Sequence, residues 1–163
     1  LEPGHRARGR GNRDDMVAAS LPAGGSGPLT EEGIRRLLDL FYRRVRRDPV
    51  LGPVFTRVIG TTDAAWAAHL ARLADFWSSL MLRSGRYRGD PFSVHLRLPN
   101  LQPPMFDRWL ALFGESCGEV FEPDVAGAFL DRAERVARSL RMGLFERLPT
   151  VRAGSNQPEG VRP

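Results

Sequence analysis

Few side chains in this 163-residue chain could hold a metal or attack a substrate: three histidines and one cysteine. A tetrahedral Cys/His zinc site needs four such ligands, and His5 stands in a Gly- and Arg-rich leading stretch, so one chain cannot build it. His69 follows Trp66 by three residues and precedes Phe76 by seven, which sets it on the apolar stripe of a helix or at its edge. Such a histidine is either a core or rim residue or a ligand and gate in a pocket. Tyr42 follows Leu38 by four and Ile34 by eight, so it leans inward and its phenol needs a partner. Trp109 brings a donor-only indole N–H to another apolar face. His95 sits between Pro91 and Pro99, in a segment too short to be a strong core element. A metal bond from its imidazole would hold that segment in place; an ordinary surface or core histidine is the alternative.

Other chemistries lack their residues. No GxGxxG, GxxxxGK[ST] or GxSxG run occurs, and the carboxylates are scattered over polar faces with no pair that periodicity would bury together. Nucleotide-dependent and hydrolytic enzymes lose their support. Cys117 has no intrachain disulfide partner and, in an apolar stretch, reads as a buried thiol of a reducing compartment. A haem needs only one protein ligand, usually His, inside an apolar helical pocket. That site the inventory can still make.

The elements that would position these residues are helices. Thr30 with Glu31 and Glu32 marks a capped start, and Ile34, Leu37, Leu38, Phe41 and Val45 follow at helical spacing until Asp48-Pro49. Thr61, Thr62 and Asp63 start a second helix with Trp66, Leu70, Leu73, Phe76, Trp77, Leu80 and Met81 inward, ending near Ser84-Gly85. Asp90-Pro91 opens the short segment that Pro99 closes. Pro103 and Pro123 open two further long helices. The stretch Pro53 to Ile59 would pass for a strand but has no partner, so it reads as irregular.

Hydrophobic residues make up 42% and charged residues 26%, so a soluble core is expected and wholesale disorder is excluded. The net charge is +5, and all 24 basic residues are Arg, whose high pKa makes the isoelectric point overstate the basic field. Residues 1–29 hold six Gly and three Pro, and residues 149–163 hold two Gly and three Pro, so both read as mobile tails flanking a domain over 30–148. No apolar run approaches membrane-spanning length, and no signal-peptide core follows Arg13; a cytoplasmic protein is expected.

The strings FYRRVRRDPVLGPVF, IGTTDAAWAAHLARLADFWSSLM, SGRYRGDPFSVHLRLPNL and RWLALFGESCGEVF, in that order, resemble the group III truncated haemoglobins from about Thr30 to Leu148. The glycine-pair motifs of the other truncated groups are absent, as in group III. The resemblance implies an all-α, shortened globin: a two-over-two helical sandwich around one haem b. His95 matches the proximal iron ligand, and Tyr42, His69 and Trp109 match the distal residues. Phe76, Trp77, Met81, Phe92 and Leu98 would then form an apolar wall, and the loop of Arg83, Arg86, Tyr87 and Arg88 would hold the haem propionates.

That reading implies dioxygen, carbon monoxide, nitric oxide, cyanide or similar small ligands. Donors on Tyr42 and Trp109 aimed at a ligand that gains negative charge would each contribute about 1 to 3 kcal/mol to its retention. Tight retention suits redox or detoxification chemistry, such as nitric oxide dioxygenation or peroxidase-like turnover fed by an electron donor, or sensing, better than bulk oxygen transport. The competing reading is a basic helical nucleic-acid-binding module using Arg43, Arg44, Arg46 and Arg47. Against it, no short turn joins two helices in helix-turn-helix fashion, and Asp39 and Asp48 flank the arginines. A haem-free scaffold leaves the His95 segment unexplained.

Overall fold

A computed structural model describes residues 24–96 and 98–146; the side chains of Phe92 and Leu96 lie outside that description, as do both tails beyond these bounds. Six helices account for most of it. Helix α1 (Glu31–Arg47) starts where Thr30 turns extended and its hydroxyl accepts from the Gly33 N–H at 3.0 Å. Glu31 and Glu32 lie against its positive end, and Arg44, Arg46 and Arg47 against its negative end. Helix α3 (Asp63–Leu82) is capped the same way, Thr62 accepting from the Ala65 N–H at 3.2 Å. Helices α5 (Pro103–Val120) and α6 (Pro123–Phe145) begin on prolines, whose missing N–H falls where a helix has no partner for it. Between α3 and α5 stands α4 (Pro91–Leu96), with Asp90 accepting from the Ser93 N–H at 3.2 Å.

The structure corrects the irregular reading of Pro53–Ile59: this stretch is helical, within α2 (Leu51–Ile59). The nucleus comes from outside the segment. The Asp48 carboxylate accepts from Val50 N–H at 3.0 Å and Leu51 N–H at 2.9 Å, while the Asp48 carbonyl accepts from Gly52 N–H at 2.9 Å. Pro53 then lies in the first turn, where its lack of an N–H is harmless, and packing of Phe55 and Ile59 on the core offsets the poor helix propensity of Val54, Val58 and Ile59. Arg108 of α5 clamps the same carboxylate, with Nε and Nη2 each 2.7 Å from Oδ2.

Helix α1 packs on α2, α3 and α5, α5 packs on α6, and α4 leans on α6. The pairs α1/α3 and α5/α6 are thus joined by the α1–α5 contact, the two-over-two arrangement that the resemblance implied. Phe113 is the hub, stacked on Trp109 at 5.2 Å and Trp77 at 4.9 Å and meeting Phe41 edge-on at 5.1 Å. Phe41, Phe113 and Phe129 have no exposed surface, and burying each contributes about 2 to 3 kcal/mol.

Residues 24–29, grouped by composition with the leading tail, are tied to the α5–α6 elbow. Gly25 N–H donates to the Gly118 carbonyl at 2.8 Å, Gly27 N–H to Val120 at 3.2 Å, and Glu122 N–H back to Gly27 at 3.2 Å. A Cβ on Gly25 would lie 2.5 Å from the Glu119 carbonyl oxygen, so only glycine allows this approach. No helix of the described residues is long and apolar enough to cross a membrane.

Candidate functional site

A cavity of about 260 Å³ opens between the helices, and it collects residues from all six. Tyr42 enters from α1, Phe55 and Val58 from α2, and His69, Leu73, Phe76 and Trp77 from α3. Tyr87 comes from the following loop, Pro91, Val94 and His95 from α4, and Leu98 from just beyond it. Trp109 and Met105 of α5 and Val136 of α6 complete the wall. The lining is overwhelmingly apolar, and its polar groups converge.

Tyr42 and His69 meet edge to face at 5.7 Å, and Trp66 stands 6.1 Å from each of them. Burial pushes the Tyr42 phenol far above its ordinary value, only partly relieved by its hydrogen bond with the Trp109 side chain. The indole can only donate, so Tyr42 oxygen accepts from it and keeps its own proton for another acceptor. His69 is pushed down to about 4 by burial, with the positive charge of Arg72 and the nearby His95 ring adding to the effect. It is therefore neutral near pH 7. Its Nε2 is buried and has no hydrogen-bond partner, the one such side-chain atom among the described residues. A buried polar atom without a partner calls for a ligand or water.

His95 reaches the same cavity from α4, with Nδ1 2.5 Å from the Pro91 carbonyl oxygen. A carbonyl only accepts, so Nδ1 carries the proton and Nε2 keeps the lone pair. This is how an imidazole is oriented for a metal. Among the described residues no group of three or more His, Cys, Asp or Glu could hold a bare metal ion.

Of the residues expected at the site, Tyr42, His69, Phe76, Trp77, Tyr87, His95, Leu98 and Trp109 all line this one cavity. Met81 and Arg86 do not. Met81 packs against the main core, and Arg86 turns to Glu31, with Nη1 3.1 Å from Oε1. The Phe92 side chain lies outside the described ones. The cavity's arginine is Arg72, which the sequence reading does not single out. Its spacing one turn after His69 was the available signal. Cys117 is buried in the core and its thiol is pushed up to about 12, so it stays protonated and unreactive.

An all-helical fold with an apolar cavity, one oriented imidazole and a facing cluster of polar donors defines a haem-pocket protein of the globin kind, and these residues fit that group. Comparison with known proteins narrows the class. The chain is 36% identical over 118 residues to the group 3 truncated hemoglobin ctb of Campylobacter jejuni, covering 72% of this chain and 93% of that protein. A crystal structure of group III truncated hemoglobin from Campylobacter jejuni superposes with a TM-score of 0.72 at 35% identity, covering 75% of this chain and 96% of that one. No family model matches the chain. The chain belongs to the group III truncated haemoglobins and is a haem-binding globin.

Proposed function

We propose that the cavity holds one haem b through His95 Nε2, and that Tyr42, His69 and Trp109 retain a small diatomic ligand for redox or detoxification chemistry rather than bulk oxygen delivery. The observation that carries this reading is the buried, unpartnered His69 Nε2 beside a Tyr42 hydroxyl whose oxygen already accepts from Trp109. When bound, haem supplies a redox-active iron with one position open to dioxygen, carbon monoxide, nitric oxide or cyanide.

The protein's part follows from its own groups. Tyr42 remains a donor across physiological pH, because burial opposes loss of its proton. Neutral His69 offers one donor and one acceptor nitrogen, so it can support a ligand or pass a proton to or from one at Nε2. Phe76, Trp77 and Leu98 exclude water, which strengthens each polar contact inside. Arg72 supplies the cation for haem carboxylates that had been expected of Arg86. A protein electron donor completes a redox cycle with nitric oxide or peroxide.

The purified protein is expected to show a Soret band that shifts with carbon monoxide, and His95→Ala to lose five-coordinate haem. Stopped-flow release of dioxygen is expected to be slow and to speed about tenfold or more in Tyr42→Phe. Fast release, unchanged in Tyr42→Phe and Trp109→Phe, would sink the retention role.

A further inference from the structure

A polar cluster built around the buried Ser78, outside the cavity, has no place in the site so far described. Ser78 of α3 has no exposed surface, yet its hydroxyl lies 2.6 Å from Glu31 Oε1 and 2.7 Å from the Ser84 hydroxyl. A hydroxyl carries one proton, so the chain runs from Ser84 O–H to Ser78 and from Ser78 O–H to the Glu31 carboxylate. The same Glu31 oxygen takes the Arg86 guanidinium at 3.1 Å. Ser84 and Arg86 both belong to the segment that leaves α3 after Arg83, a residue in the left-handed conformation at φ 57°. Immediately beyond them, Tyr87 N–H donates to Ser79 Oγ at 2.9 Å, and the Tyr87 ring meets Phe76 edge-on at 5.2 Å and lines the cavity. Asp90 then caps α4, whose Pro91 carbonyl orients His95.

We propose that Glu31 is a positioning residue for the His95 side of the cavity. It lines no part of that cavity. Its carboxylate accepts from Arg86 of the α3–α4 connection and from Ser78 of α3, which in turn accepts from Ser84 of that connection, and so fixes where the segment delivers Tyr87 and the start of α4. Helix α4 cannot do this for itself: it has six residues, and its Val94 is 56% exposed. A carboxylate in the first turn of α1 also suits the helix dipole, but the dipole gives no reason for it to meet donors from a different element.

This role rests on the reading of His95 as the iron ligand. Resonance Raman spectra of the haem-loaded full chain test it, in the ferrous state and with carbon monoxide bound. Glu31→Gln keeps the shape and removes the charge, and Arg86→Gln removes an exposed partner without burying anything new. Both variants are expected to shift or broaden the iron–histidine band while leaving the iron–carbonyl band in place. Haem loss to an apoglobin acceptor is expected to speed by up to about tenfold, the size expected for one charge-assisted hydrogen bond. The double variant is expected to match Glu31→Gln alone, since both remove one interaction. An unchanged iron–histidine band in a natively folded Glu31→Gln overturns the proposal. So does a parallel shift of both bands with a lowered Tm, which marks general loosening. Survival of the iron–histidine band in His95→Ala overturns the ligand reading instead.

Discussion

The two sides of the cavity are built by opposite means. Tyr42 and Trp109 stand on α1 and α5, long helices whose Phe41 and Phe113 lie fully buried between them. Their positions are consequences of packing, fixed before any cofactor is added. His95 stands on six residues and takes its ring orientation from one carbonyl. Its position is held from the ends of the element. A cavity assembled this way keeps its Tyr42 and Trp109 groups rigid while its His95 side has more freedom to adjust.

The largest test removes the packed side's hub. Phe113→Ala is expected to cost about 4 kcal/mol in urea denaturation, against less than about 0.5 kcal/mol for Val94→Ala on α4. Similar costs at both positions would erase the contrast. Next in size, Asp48→Ala leaves the Val50 and Leu51 N–H groups and the Arg108 guanidinium without their shared acceptor, and is expected to cost about 2 to 3 kcal/mol. Burial pushes the Asp48 carboxyl up, yet the hydrogen bonds from Leu51, Arg108 and Val50 outweigh it and hold its pKa below 3.8. A depressed carboxyl stabilises the fold above its ordinary pKa, and that stability is lost as acid protonates it. The wild-type chain should therefore lose stability below about pH 4 by more than Asp48→Ala does.

The smallest effect concerns His69 in the haem-free protein. Its pKa falls from 6.5 unfolded to about 4 folded, so between those values the unfolded chain binds more protons. Stability is full above pH 6.5 and declines as pH falls toward 4. The Arg72 charge and the neighbouring His95 ring reinforce that sign. Denaturation at pH 7.5 and pH 5 is expected to differ by roughly 1 kcal/mol on this account, a value reduced for partial solvent screening. His69→Gln should flatten the difference; an unaltered slope would place the titration elsewhere.

Much of the packed side could be read from the chain because its signals are local. Thr30, Thr62, Pro103 and Pro123 mark helix starts that the structure keeps, and the apolar spacing of α1 puts Tyr42 where it lies. What stayed hidden depends on contacts between distant residues. Helix α2 is nucleated by a carboxylate clamped from α5, so its own β-branched residues misdirect a local reading. Arg72 looks solvated because its helix position is, while its long side chain reaches the cavity. Arg86 looks available to a cofactor until Glu31, far back in the chain, is seen to hold it. The hydroxyl chain through Ser78 carries no sequence pattern at all.

The glycine strap over the α5–α6 elbow bears on what holds that corner together. Gly25 and Gly27 fasten residues 24–29 to a corner whose residues take no part in lining the cavity. The strap thereby joins the approach to α1 directly to the turn between α5 and α6, a link made by backbone alone. A bulkier residue at Gly25 should therefore loosen this corner while leaving the groups around the cavity in place.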